Sequence, residues 1–219
     1  VRKNWVVSFA PVAYGIVLTV TGIVVGPLGM IGGFIYSLVS SACASSGLYL
    51  VRNMVESGKT DINDFLNGFL VYLGDLITFF FILWLPMWAA ANMLGGVPNG
   101  WLIYLLLRLG LFILLNAVPE MIYQGRASGL ELIGASYSFI VENWIEWLVP
   151  NLLLFAAGYF FLDFFDSLLF GLPAFVQIFV SALVLGLLLA YFMTFRGFLF
   201  NQLHGTTRRT RIYRYDART

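Results

Sequence analysis

Two long apolar segments, joined by Gly95-Gly96-Val97-Pro98-Asn99-Gly100, run from Phe65 to Pro119, and each holds one charge far from its ends. Asp75 lies in the first and Arg108 in the second. An ionisable group that deep in hydrocarbon is costly, so it is expected to face a bundle interior and hold a partner. At about 1.5 Å of rise per residue, Arg108 lies about 15 Å from Val118 and Asp75 a similar distance from Phe65. Antiparallel neighbours would bring the two to one height, which predicts an Asp75–Arg108 ion pair that locks the hairpin. The functional alternatives are proton or ion exchange at Asp75 tuned by Arg108, pairing of Arg108 with Glu142, or contact of Arg108 with lipid or pigment.

Composition decides what surrounds these segments. Only 11% of the residues are charged and 60% are hydrophobic, whereas soluble domains carry about 25% charge, so a water-covered surface is excluded. The apolar runs are continuous over about 20 residues rather than alternating over about ten, which favours helices over an outer-membrane barrel. The fold class is therefore all-α, a polytopic integral membrane helix bundle. Arg2-Lys3 ahead of Trp5–Gly26 reads as a retained first span rather than a cleaved signal. The lone cysteine, Cys43, excludes an intramolecular disulfide framework and a cysteine metal cluster.

Six spans fit, at residues 5–25, 28–50, 65–91, 101–118, 147–165 and 173–195, followed by a basic tail over 196–219. Gly26-Pro27 makes a tight turn between the first two. The second span places Gly29, Gly33, Ser37, Ser41 and Ser45 four residues apart, a small-residue stripe that lets another backbone approach closely. Gly22 and Gly26 do the same late in the first span; a path for substrate along that groove is the functional counterpart. Thr60 or Asp61 is a helix N-cap with Asp64 three residues on. The helix from Ile62 is expected to run unbroken into the third span, with a kink at Pro86. Short interfacial helices are predicted at Asp61–Gly68 and Gly129–Ile140, and the stretch from Glu120 to Glu131 reads as polar linker.

Of the 12 lysines and arginines, all but Arg108 fall on one side of this layout, and the opposite turns carry none. The positive-inside rule then places both termini in the cytoplasm. A shift of 67 residues aligns Gly58-Lys59 with Gly125-Arg126, Asp64 with Glu131, Tyr72 with Phe139 and Asp75 with Glu142. Each unit of this parallel repeat is a Gly-basic turn, an amphipathic lead-in helix and a span.

Gly47-Leu48-Tyr49-Leu50-Val51-Arg52, a short polar link, and Asp61-Ile62-Asn63-Asp64-Phe65-Leu66-Asn67-Gly68-Phe69 resemble an uncharacterised prokaryotic family of polytopic membrane proteins, a domain of unknown function. That family has a Gly-Tyr-x-x-Arg segment followed by an Asp-rich, Gly-containing helix start; here Leu48 stands at the tyrosine position and Tyr49 follows it. The resemblance implies only a multi-pass topology; the expected location is a prokaryotic cytoplasmic (inner) membrane.

The remaining polar residues bound the chemistry. Glu142 and Glu146, four apart beside Asn143, Trp144 and Trp147, can present two carboxylates to a cation or substrate, although acids with tryptophans also mark an ordinary membrane interface. Arg208, Arg209, Arg211 and Arg214 around Tyr213 suit lipid or subunit docking, each basic residue adding about 1 kcal/mol near an anionic leaflet. They form too small a basic surface for nucleic acid. The only histidine, His204, lies in the tail, and the only lysines, Lys3 and Lys59, lie outside the spans. No span therefore offers an imidazole metal ligand or a Schiff-base lysine, and no cofactor, metal or catalytic residue is implied. The expected function is a non-enzymatic membrane subunit or scaffold of a larger assembly, in contact with lipids and other membrane subunits. The alternative is a small transporter component using Asp75 and Arg108.

Overall fold

Glycine and proline at 26–28 turn the chain back on itself. In the computed structural model, which describes residues 4–206, helix α1 (Trp5–Val25) ends in a 3₁₀ turn at Gly26–Leu28, and α2 (Gly29–Ser57) returns alongside it. Asn4, at the start of α1, ties the two ends: its amide donates to Gly58 O at 3.1 Å, and its Oδ1 accepts from the Thr60 amide at 3.0 Å. There follow α3 (Ile62–Asn67), α4 (Leu73–Leu94), α5 (Gly100–Leu114), α6 (Val118–Tyr123), α7 (Glu131–Leu168) and α8 (Ala174–Leu203). Of the described residues 85% are helical, and none is in a strand.

Among the described residues, five stretches are long and apolar enough to cross a membrane: Trp5–Ser57, Leu73–Leu94, Gly100–Tyr123, Glu131–Leu168 and Ala174–Leu203. The first comprises the α1–α2 hairpin. The most apolar window of each is only 6–17% buried.

Several boundaries differ from those predicted. The helix from Ile62 does not run unbroken into the third span: it gives way to a 3₁₀ turn at Gly68–Leu70, and α4 begins at Leu73. The Ser45 hydroxyl of α2 binds Gly68 O at the start of this turn and the Tyr72 amide just after it, which lets it close outside a regular helix. Helix α8 runs on through Arg196 to Leu203, beyond the predicted end at Phe195. The segment around Glu120, expected as linker, is helix α6.

The chain divides into two compact units, Val1–Leu73 with Leu148–Leu199, and Gly74–Trp147 with Phe200–Thr219. In the first, Val6, Val7, Ala10 and Leu50 form a core flanked by Tyr14, Met54, Phe65 and Ala190. Helix α8 approaches α1 so closely at Gly186 that an added Cβ would lie 2.6 Å from Ser8 O. In the second unit, the buried residues include Ala117, Val118, Met121, Ile122 and Tyr123 of the α6 segment, Leu132, Phe139, Ile140 and Trp147 of α7, and Phe200 and Leu203.

The repeat has a conformational counterpart. Gly58 and Gly125, 67 residues apart, both adopt left-handed φ (68° and 62°) and both end a helix, as only glycine does without strain. At Gly125 the cap is doubled: Gly125 N donates to Ile122 O and Arg126 N to Met121 O. The aligned Tyr72 and Phe139 are both buried.

Candidate functional site

In the first unit the polar interior is built by small side chains on α2. Ser45 Oγ donates to Gly68 O at 2.7 Å and accepts from the Tyr72 amide at 2.8 Å. One residue on, Ser46 Oγ donates to Phe65 O at 2.7 Å and accepts from Tyr14 Oη at 2.9 Å. Gly68 makes this possible, since an added Cβ would sit 2.9 Å from Ser46 Cα. Of the predicted stripe, Ser41 and Ser45 are buried, whereas Gly29, Gly33 and Ser37 are exposed. A Cβ at Gly26, Gly29 or Gly33 would meet nothing within 4 Å, and one at Gly22 would touch the Tyr36 ring at 3.6 Å.

Beyond these serines, Arg52 Nη1 donates to Tyr72 Oη at 3.2 Å, and Arg52 Nε pairs with Glu56 at 2.9 Å. Asp61 caps α3: its Oδ1 accepts from the amides of Asn63 and Asp64, and Asp64 Oδ2 accepts from the Asp61 amide. An open groove of about 630 Å³ lies here, lined by Tyr49, Asn53, Ser57, Lys59, Thr60, Asp61 and Asp64. Thr60, only 5% exposed, has a buried hydroxyl without a hydrogen-bond partner.

The second unit encloses bulkier groups. Trp147, fully buried, donates from Nε1 to Asn116 Oδ1 at 3.0 Å, and Ser136 Oγ donates to Leu114 O at 2.9 Å, a carbonyl that the end of α5 leaves unserved. Phe139 and Phe200 pack on Trp147 with ring centroids 5.2 and 6.1 Å away, and His204 stacks on Phe200 at 5.0 Å. Burial, aided by the charge of Arg126, holds the His204 imidazole below its ordinary pKa. Glu120, on the six-residue helix α6, is 0% exposed. A buried carboxylate must be hydrogen-bonded or paired to be tolerated. Sequence reasoning missed Glu120, and the one signal available was Pro119 just before it, a residue favoured in a first helical turn.

The predicted site residues are placed as follows. Asp75 is half-buried in the first turn of α4 and Arg108 is exposed in the middle of α5; no hydrogen bond or ion pair joins them. Glu142 is exposed and Glu146 half-buried. They do not share the face of one regular helix, because α7 is broken between them at Asn143, whose backbone is non-helical (φ −129°, ψ 20°). The Asn143 side chain donates to Phe139 O at 3.1 Å, a carbonyl that a regular helix serves with the backbone amide four residues on. Among the described residues, no three His, Cys, Asp or Glu side chains gather as a metal site would require. Arg208, Arg209, Arg211 and Arg214 lie outside the described residues.

No family model, curated protein or solved structure matches this chain.

Proposed function

We propose that the chain is a six-span protein of a prokaryotic cytoplasmic membrane, with both termini cytoplasmic, and that it serves as a non-enzymatic subunit or scaffold of a larger membrane assembly. In this reading the spans are α1, α2, α4, α5, α7 and α8. Helix α7, 38 residues long, would measure about 57 Å straight against a hydrocarbon core of about 30 Å. Its segment before Asn143 is therefore taken as the interfacial lead-in.

One observation carries the subunit role. The most apolar windows of the long helices are only 6–17% buried, which leaves broad flanks for lipid and for other subunits. On α4, Phe81, Trp84 and Trp88 already stack in file, with successive ring centroids 6.2 Å apart, and large aromatics dominate interface energetics. Extraction in a gentle detergent should bring the chain out with stoichiometric membrane partners, read as a mass above that of the chain and its detergent belt. A protein that emerges alone and conducts or exchanges solute in liposomes overturns the reading. A transport component is the second reading, supported by the fully buried Glu120 and half-buried Asp75.

A further inference from the structure

Most of helix α5 is exposed, and the flank that carries its one charge, Arg108, also carries Trp101, Leu105 and Phe112. Their spacing of four, three and four residues is that of a helix–helix seam. Trp101 and Phe112, at its ends, are 70% and 69% exposed. At the centre of this stripe stands Arg108, exposed and without a hydrogen bond or ion pair to any described residue.

Depth makes that exposure informative. Arg108 lies eight residues from Gly100 and six from Leu114, or about 12 Å and 9 Å along the helix axis. A guanidinium cannot be deprotonated, so it must find hydration, a headgroup or a counter-charge. The residues on its own helix are apolar apart from Tyr104, so the counter-charge has to come from another element.

We infer that the Trp101–Leu105–Arg108–Phe112 flank of α5 docks a membrane-spanning helix of another subunit that carries a single Asp or Glu at mid-depth. Leu105 and the two aromatics supply the apolar walls, and Arg108 with the incoming carboxylate forms a two-pronged charge-assisted pair shielded from water. The pairing also fixes register, since only a helix with its acid at the matching height satisfies the arginine. This inference rests on the subunit reading and names the chemistry of the partner.

The test uses the purified full chain in lipid nanodiscs and a labelled leucine-rich peptide of about 20 residues with one central Glu. The Gln and all-Leu versions of the peptide are controls, and association is read by energy transfer. The Glu peptide should bind about tenfold more tightly than the all-Leu peptide, Arg108→Leu should erase that preference, and Arg108→Lys should keep part of it. Arg108→Leu places an apolar side chain on an exposed apolar flank, so folding is preserved, and helicity by circular dichroism checks this. Equal binding of the three peptides, or a Glu preference that survives Arg108→Leu, overturns the inference. So does energy transfer between two copies of the chain that Arg108→Leu abolishes, because the occupant is then a second copy. A chain that leaves the membrane alone sinks the subunit reading, whereas peptide failure with the pure chain sinks only this seam.

Discussion

The two junctions matched by the 67-residue repeat close in opposite ways. Where α2 passes into α4, closure depends on small polar groups: Ser45 and Ser46 bind the backbone of the lead-in turn, and Gly68 lets it come within reach. Where α5 passes into α7, closure depends on bulk: the rings of Trp147, Phe139 and Phe200 pack on one another, all buried. The difference is chemical as well as steric. The serine junction leaves its acids outside, with Asp61 and Asp64 on an open groove, whereas the aromatic junction has the fully buried Glu120 beside its core. The two aligned stretches thus share the left-handed glycine that ends a helix, Gly58 or Gly125, and the side chains inside each turn decide whether the site is open or sealed.

The sharpest way to break the contrast is to empty the aromatic junction. Trp147→Ala removes the largest fully buried side chain and the donor to Asn116. Truncations of this size cost about 3–5 kcal/mol in soluble cores, and the lower end is expected here because lipid supplies no hydrophobic driving force of its own. Trp147→Phe keeps the ring and loses the N–H, so it should cost only about 1 kcal/mol. Thermal unfolding in a defined detergent measures both. Near-equal losses would mean that the hydrogen bond, not the bulk, seals the junction.

The serine junction should respond less and more locally. Ser45→Ala removes the donor to Gly68 O and the acceptor of the Tyr72 amide in one step. A buried group deprived of its partner costs about 1–3 kcal/mol, so a loss of about 2 kcal/mol is expected. Hydrogen exchange should accelerate at the Tyr72 amide and leave the Trp147 region unchanged. Acceleration in both places would show that the junctions are not separate cooperative units.

What could be read in advance follows the range of the forces involved. The first helix, Trp5–Val25, and the Asp61–Asp64 capping box are written in adjacent residues and appear as expected. Helix α6 does not announce itself, because Pro119 and Glu120 look like linker in composition, and only the folded chain buries Val118, Glu120, Met121, Ile122 and Tyr123 together. Matching the heights of Asp75 and Arg108 used only the rise per residue. Which way each side chain turns depends on rotation about the helix axis, and α5 is apolar on every side apart from Tyr104 and Arg108, so no apolar stripe marks its inner face. The break at Asn143 was equally hidden, since an asparagine in a helix bends it only where the side chain captures a nearby carbonyl.

The smallest effect tests whether the aromatic junction stays sealed as pH falls. His204 stacks on Phe200, and burial first, then the charge of Arg126, lowers its pKa from 6.5. The folded chain therefore binds fewer protons here than the unfolded chain at pH values below about 6.5, and stability from this group rises with pH through that window. It is fully present above 6.5 and is lost as pH falls toward the depressed folded value. Between about pH 7.5 and 5.5 the unfolding temperature of the wild type should fall more than that of His204→Phe, which keeps a ring against Phe200 and cannot titrate. Parallel slopes in the two proteins would assign the acid sensitivity to other groups and leave the stacking as the whole contribution of His204.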